Sequence, residues 1–304
     1  MHVIDRTRRP SIAFESTILA HGLPEPHAQA LYRDAISIGE RCGVQIAVVG
    51  LPAGRPTVGM TDGEVLRLLE AERVDKVNTS NLGLAMHAGR DAATTVSATI
   101  ELAAAAGLPL FATGGIGGVH RGYGARLDVS SDLLALSRFP VAVVASGCKN
   151  LLDVSATREA LETLGVPVVG FRTDRFPAFY TRESDPPVGV DGTFDEAEDL
   201  AAFLTAELER TGRGVLVANP IPEADAVSPD EWAAWLAEAE TSAAAAIGRD
   251  VTPDTLARLH TVSGGRTLSA NIALARSNTD LACRLAAIMG HDGPPDPSGR
   301  TPGA

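Results

Sequence analysis

Short apolar runs alternate with helix-period segments along most of this 304-residue chain, and that alternation leaves few folds open. A run too short for a helix and apolar at nearly every position must be covered on both faces. Strands of that kind belong to parallel sheets sandwiched between helices. A helix over Leu31–Cys42 leads into a strand at Gln45–Gly50, and a helix over Asp62–Arg73, with Thr61 or Asp62 as its N-cap, into Asp75–Asn78. Thr94–Ala106 is a helix stopped by Gly107, followed by the strand Leu108–Thr113. Ser131–Leu136 and Thr157–Leu164 are helices, and Val141–Ala145, Val166–Gly170 and Gly214–Ala218 are buried strands. The expectation is a layered α/β/α fold around a largely parallel sheet. Two long alanine-rich helical patterns, Asp230–Ile247 and Leu268–Met289, have no strand between them and are expected to pack over that sheet or at a subunit contact. Thr181–Thr193, rich in proline and aspartate, is expected as an exposed loop. With no repeat and no linker in sight, residues 11–290 form one domain, between a flexible lead (1–10) and a disordered tail (291–304).

Composition narrows the function. Aromatics make up 4% of the chain, so alanine, valine and leucine must fill the core. The net charge of −12, with arginines scattered among acids, excludes a basic nucleic-acid face. No apolar stretch is long enough to span a bilayer, and the polar, arginine-rich start does not resemble a signal peptide. Three cysteines, Cys42, Cys148 and Cys283, stand far apart in sequence without a Cys-x-x-Cys pair, which points to reduced thiols and the cytoplasm. An anionic ligand on so acidic a protein needs local devices: glycine-rich turns, helix N-termini, a few cations.

Only two of the 26 basic side chains are lysines, Lys76 and Lys149. Arginine replaces lysine on a surface, but it stays protonated and cannot condense with a carbonyl. Lys149 follows the apolar run Val141–Ala145, at a strand end, where open α/β sheets bind ligands. After another strand comes Thr113-Gly-Gly-Ile-Gly-Gly-Val-His120-Arg121-Gly, which fits neither a dinucleotide fingerprint nor a P-loop. It is either a phosphate cradle, with Thr113, His120 and Arg121 as extra donors, or a tight turn. Asp128, Ser130, Ser131 and Asp132 could hold a hard cation or sugar hydroxyls, but read first as an ordinary helix N-terminus. Glu15, between Phe14 and Ile18, would act as a general acid if buried, or as a simple cap if exposed.

Taken in order, Glu15-Ser-Thr-Ile-Leu-Ala-His-Gly-Leu-Pro, Thr94-Thr-Val-Ser-Ala-Thr, the glycine segment from Phe111, Phe176-Pro-Ala-Phe-Tyr, Ala218-Asn-Pro-Ile-Pro and Asn271-Ile-Ala-Leu resemble the pseudouridine-5′-phosphate glycosidase family, also called indigoidine synthase A-like, from about Ser11 to Ala287. The resemblance implies reversible cleavage of the C–C glycosidic bond of pseudouridine 5′-phosphate to uracil and ribose 5-phosphate. It places the nucleophilic lysine on Lys149 and the acid on Glu15. Substrate contacts fall on Lys76, Thr95, Val96, Ser130, Ser131, Asp132 and Asn271, and a manganese ligand on Asp128. It also implies a homotrimer acting on a small molecule. Beyond Lys76, where the family usually has a serine and then Arg-Asp, this chain has Val77-Asn-Thr-Ser-Asn81.

The chemistry agrees with the resemblance. Uracil C5 leaves C1′ poorly, and joining C1′ of the opened sugar to an amine supplies an electron sink. Two rivals share parts of the pattern: another Schiff-base lyase of sugar phosphates, which would not require uracil, and a non-catalytic sugar-phosphate-binding protein, which would not need both Glu15 and Lys149.

Overall fold

The computed structural model describes residues 2–243 and 258–291. In chain order its strands are β1 (Ile4–Asp5), β2 (Ser11–Glu15), β3 (Gln45–Leu51), β4 (Thr57–Val58), β5 (Asp75–Val77), β6 (Ala92–Thr94), β7 (Leu110–Ala112), β8 (Val119–His120), β9 (Ala142–Ala145), β10 (Leu152–Asp153), β11 (Val168–Phe171), β12 (Gly192–Phe194) and β13 (Val215–Ala218). All but β8 and β10 join one sheet, in the order β1-β4-β3-β2-β7-β9-β13-β11-β12, with β6 paired to β3 and β5. From β3 to β12 along that path every pair is parallel. The antiparallel pairings in this sheet are those of β3 with β4 and β6. This is the expected layered α/β fold.

Side chains alternate across the sheet, as a two-residue period demands. Ile12, Phe14, Ile46, Val48, Val215 and Val217 face one core layer. It is covered by the helices His27–Cys42, Ala197–Thr211 and Arg266–His291. Ala13, Ala47, Val49, Leu216 and Ala218 face the other, which the helices Val96–Ala105, Ser131–Arg138 and Val154–Thr163 close. The helix Asp62–Glu70 starts on a capping box: Glu64 N–H donates to Thr61 Oγ1 at 3.3 Å, and Thr61 N–H to Glu64 Oε2 at 2.9 Å.

Some elements depart from expectation. Ala92–Thr94 is a strand, so the helix predicted from Thr94 begins at Val96. The helices Leu82–Ala88 and Ala197–Thr211 were not anticipated, and the expected loop Thr181–Thr193 runs into β12. The lead also needs correction, because Ile4–Asp5 pairs with Thr57–Val58. Arg6 reaches Glu64 at 2.6 Å and Arg9 the Ala106 carbonyl at 3.0 Å, which ties residues 4–9 to the body. The predicted helix from Asp230 is seen as Pro229–Ala243, and its continuation to Ile247 lies outside the described residues. His291 ends the last helix, and the remaining tail, 292–304, also lies outside them.

Strand order positions the site. The chain leaves β2 for β3 on one side, whereas β7 leads to β9 on the other, so adjacent β2 and β7 form a topological switch point. Glu15 ends β2, and Thr113, Ser146 and Asn219 directly follow β7, β9 and β13.

Candidate active site

At that switch point the Thr113 hydroxyl donates to Glu15 Oε1. Glu15 is 6% exposed, and burial raises its carboxyl above the usual glutamate range. Lys149, the Thr113 hydrogen bond and Lys76 pull the other way, while Asp132 adds to the rise. Lys76 feels the same neighbours: withdrawal of its amine from water, then the charge of Lys149, lowers its pKa, against the attraction of Glu15 and Asp132. Glu15, Lys149, Lys76 and Asp132 thus act on one another electrostatically, with Thr113 bonded to Glu15. The unusual segment after Lys76 has a local purpose. Asn78 N–H donates to Asn81 Oδ1 at 2.8 Å, and Asn81 Nδ2 donates to the Lys76 carbonyl at 3.2 Å, so the turn holds the lysine's backbone.

The glycine segment is a packed turn more than an open cradle. Gly117 N–H donates to Asp132 Oδ2 at 2.8 Å, and Ile116 N–H to the Gly147 carbonyl at 3.0 Å. Neighbours explain the missing side chains. A Cβ on Gly117 would overlap Ser130 Oγ and lie 2.9 Å from Asp132 Oδ2, and one on Gly115 would lie 2.9 Å from Phe179 Cε2. Asp132 also accepts Ser97 N–H at 2.9 Å, so both its oxygens are engaged by backbone donors, one of them at the N-terminus of the helix Val96–Ala105. Ser97 Oγ lies 2.9 Å from Ser131 Oγ and 3.2 Å from Thr95 Oγ1. Ser130 caps its own helix by accepting Asp132 N–H at 3.2 Å. Thr95, Val96, Ser130 and Ser131 therefore lie on two helix starts joined through Asp132.

His120 N–H donates to the Asp128 carbonyl at 3.0 Å. Arg121 donates to the Asn150 carbonyl at 3.2 Å and lines a cleft of about 570 Å³ with Asn150, Asp153, Glu183 and Trp232. His120 Nδ1 is 3.8 Å from Asp128 Oδ2, and the Asp128 side chain is 61% exposed. Among the described residues no three His, Cys, Asp or Glu side chains converge as a metal cage. One exposed carboxylate suits a divalent ion that keeps most of its shell as water and completes it with a substrate phosphate. Asp128 would give such an ion one carboxylate and leave the rest of its shell to water. Asn271 is 8% exposed, and its Oδ1 is buried without a hydrogen-bond partner, 3.5 Å from where a Cβ on Gly114 would stand.

Sequence reasoning missed the residues that brace the cluster. Ser16 Oγ donates to the Val49 carbonyl at 2.6 Å and accepts Thr94 N–H at 2.9 Å, joining the ends of β2, β3 and β6. Asn278 and Asn219 hydrogen-bond to each other at 2.9 Å and to neighbouring strand ends. Phe179, at φ 57°, packs its ring against Gly114 and Gly115. One signal was available: an asparagine at position 278 falls on the apolar stripe of the last helix, beside Leu274, Ala275 and Ala282.

Residues 3–288 match the family described as "Indigoidine synthase A like protein". A Methylobacterium nodulans protein named pseudouridine-5′-phosphate glycosidase is 46% identical over 283 residues, covering 92% of this chain and 83% of its own length. A Symbiobacterium thermophilum protein of the same name is 43% identical over 293 residues, 94% of each chain. Among solved structures, an indigoidine synthase A-like protein from Thermotoga maritima superposes with a TM-score of 0.86 at 37% identity, covering 94% of this chain and 95% of the other. The prealnumycin C-glycosynthase AlnA, in complex with ribulose 5-phosphate, does so with 0.87 at 32% identity, covering 95% and 97%.

Proposed function

This chain belongs to the indigoidine synthase A-like family, and from that premise we propose that it reversibly cleaves the C–C glycosidic bond of pseudouridine 5′-phosphate, giving uracil and ribose 5-phosphate. The observation that carries the reading is the convergence of the chain's only two lysines on one buried carboxylate, Glu15, at the switch point of the sheet. Relatives named for this activity, at 40–46% identity over most of the chain, support it.

Breaking C1′–O4′, with the electron pair leaving on O4′ and a proton from Glu15 to that oxygen, opens the ribose; the Lys149 amine bonds to C1′ and returns a proton to the Glu15 carboxylate. Glu15, kept protonated more readily by its burial, delivers a proton to the departing base at C5. The nitrogen lone pair then forms C1′=N⁺ as the C1′–C5 electron pair leaves with uracil. Water hydrolyses the iminium to ribose 5-phosphate and frees the amine. Lys76 and the helix starts at Val96 and Ser131 supply positive potential for the anionic sugar, with Asn271 a further substrate contact. Manganese at Asp128, held largely through water, would add positive charge at the phosphate end. Chelation is expected to remove most activity, and Mn²⁺ to restore it better than Ca²⁺, which wants more ligands at longer distances. Full activity after chelation would leave Asp128 a loop carboxylate. A homotrimer and a cytoplasmic location belong to the same proposal. No helix of the described residues is long and apolar enough to cross a membrane, and exposed Leu84, Leu127 and Leu134 offer apolar surface for assembly.

The test is mass spectrometry of products from pure pseudouridine 5′-phosphate, with borohydride added to trap the adduct. A pentose-phosphate mass is expected on the peptide containing Lys149. Lys149→Arg should be as inactive as Lys149→Ala, since charge without a condensing amine is useless here. Turnover by either variant rejects the assignment. The printed name of AlnA, a C-glycosynthase, favours one second reading: C–C bond formation between a pentose 5-phosphate and an acceptor other than uracil. Failure of uracil to react with ribose 5-phosphate in the reverse direction would favour it.

A further inference from the structure

Asn278 is completely buried in the helix Arg266–His291 and touches the ends of three central strands. Its Nδ2 donates to the Thr113 carbonyl at 2.8 Å and lies 3.2 Å from the Gly114 carbonyl and from Ser146 Oγ. Its Oδ1 accepts Asn219 Nδ2 at 2.9 Å, and Ser146 Oγ donates to the Asn219 carbonyl at 2.9 Å. Thr113, Ser146 and Asn219 are the first residues after β7, β9 and β13. Burying a primary amide is costly unless it is fully bonded, and Asn278 stands on a stripe that is otherwise apolar, with Leu274, Ala275 and Ala282.

What the amide fixes is a pair of roots. The Thr113 hydroxyl holds Glu15. Ser146 begins the turn that reaches Lys149, and that turn is laced to the glycine segment: Ser146 N–H to the Gly114 carbonyl at 2.9 Å, Ile116 N–H to the Gly147 carbonyl at 3.0 Å, Lys149 N–H to the Ile116 carbonyl at 3.2 Å. We propose that Asn278 is a positioning residue for the reaction, clamping the roots of the Thr113 and Lys149 turns so that the acid and the amine address the same sugar carbon. The inference rests on the assignment of Glu15 and Lys149 made above and extends it to a residue that never meets substrate.

Asn278→Asp keeps the shape and removes the donor, and Asn278→Leu removes both arms. Each is compared with Thr113→Val, with turnover expressed per site able to form the borohydride-trapped adduct. The expected result is a kcat lowered about tenfold or more, with KM for pseudouridine 5′-phosphate within about threefold of wild type, since recognition of the phosphate does not pass through Asn278. The pH profile is the discriminating readout. The groups acting on Glu15 are Lys149, Thr113, Asp132 and Lys76. Loosening Thr113 should move the upper pH limb of kcat upward in both Asn278 variants, in the same sense as in Thr113→Val. The Asn278→Leu, Thr113→Val double variant should lose less than the product of the two single losses. A lower melting temperature with kcat per site and the pH limb unchanged overturns the proposal and leaves a structural amide. If the Asn278 variants do not fold, Asn219→Ala, which releases Oδ1, should show the same kcat loss and limb shift in smaller measure, and wild-type values there also overturn it. Lys149→Ala run in parallel separates the two levels, because turnover by that variant defeats the amine chemistry whatever Asn278 does.

Discussion

Burial is the largest influence on Glu15 and raises its pKa, with Lys149, the Thr113 hydroxyl and Lys76 opposing and Asp132 reinforcing. An acid whose folded pKa lies above its unfolded value adds stability below the unfolded value, and that contribution fades as pH rises through the folded pKa. Near neutrality, therefore, ionised Glu15 costs the fold stability. Glu15→Gln should raise the melting temperature at pH 7–8, with the gain shrinking towards pH 4, while activity is lost. Scanning calorimetry across that range checks the sign, and a Gln variant less stable than wild type at pH 8 would mean that the pull of the two lysines outweighs burial. Glu15, Lys149 and Lys76 were legible in sequence because each is chemically unusual where it stands: an acid in an apolar strand, and lysines in a chain that otherwise uses arginine. Asn278 was not, because its meaning depends on three carbonyl and amide partners that no local pattern brings together.

At the scale of elements, the turns around the site tolerate little. Gly147 has φ 69°, and a Cβ there would overlap the Pro177 carbonyl oxygen. Gly147→Ala should cost about 1–3 kcal/mol from conformation alone, with more from the overlap, and should lower both melting temperature and kcat because Lys149 lies two residues on. Thr61→Ala offers the contrast: loss of its capping box should cost about 1 kcal/mol and leave kcat unchanged, as urea denaturation and a steady-state assay would show. Buried strands such as Val215–Ala218 were visible because they are apolar throughout, and helix ends because Gly107 and Gly165 stop them at positive φ. Ala92–Thr94 was hidden, since short residues before a helix carry no period of their own. The glycines at 114, 115, 117 and 118 were correctly marked as special for a different physical reason. None adopts positive φ, and Phe179, Ser130 and Thr157 occupy the space a side chain would need.

For the whole molecule, a net charge of −12 opposes the approach of an anionic substrate. Binding must come from the few cations and helix starts gathered around the switch point of the sheet. Pseudouridine without its phosphate should lose kcat/KM by roughly 10² or more, as expected if a few charge-assisted hydrogen bonds of about 1.5–3 kcal/mol each are given up. Lys76→Ala should harm the phosphorylated substrate far more than the bare nucleoside. Equal kcat/KM for the two substrates would show that the site does not use the phosphate.

The clamp at Asn278 also bears on how the protein comes into being. Its partner Thr113 lies 165 residues earlier in the chain, so the contact that aligns the site is among the most distant the fold makes, and distant contacts form late. A growing polypeptide leaving the ribosome carries Glu15, Lys76, Thr113 and Lys149 well before the helix that fixes their geometry has been translated. Until then, on the roles proposed above, the acid and the amine would lack their final alignment, and full reactivity would arrive when the last helix docks.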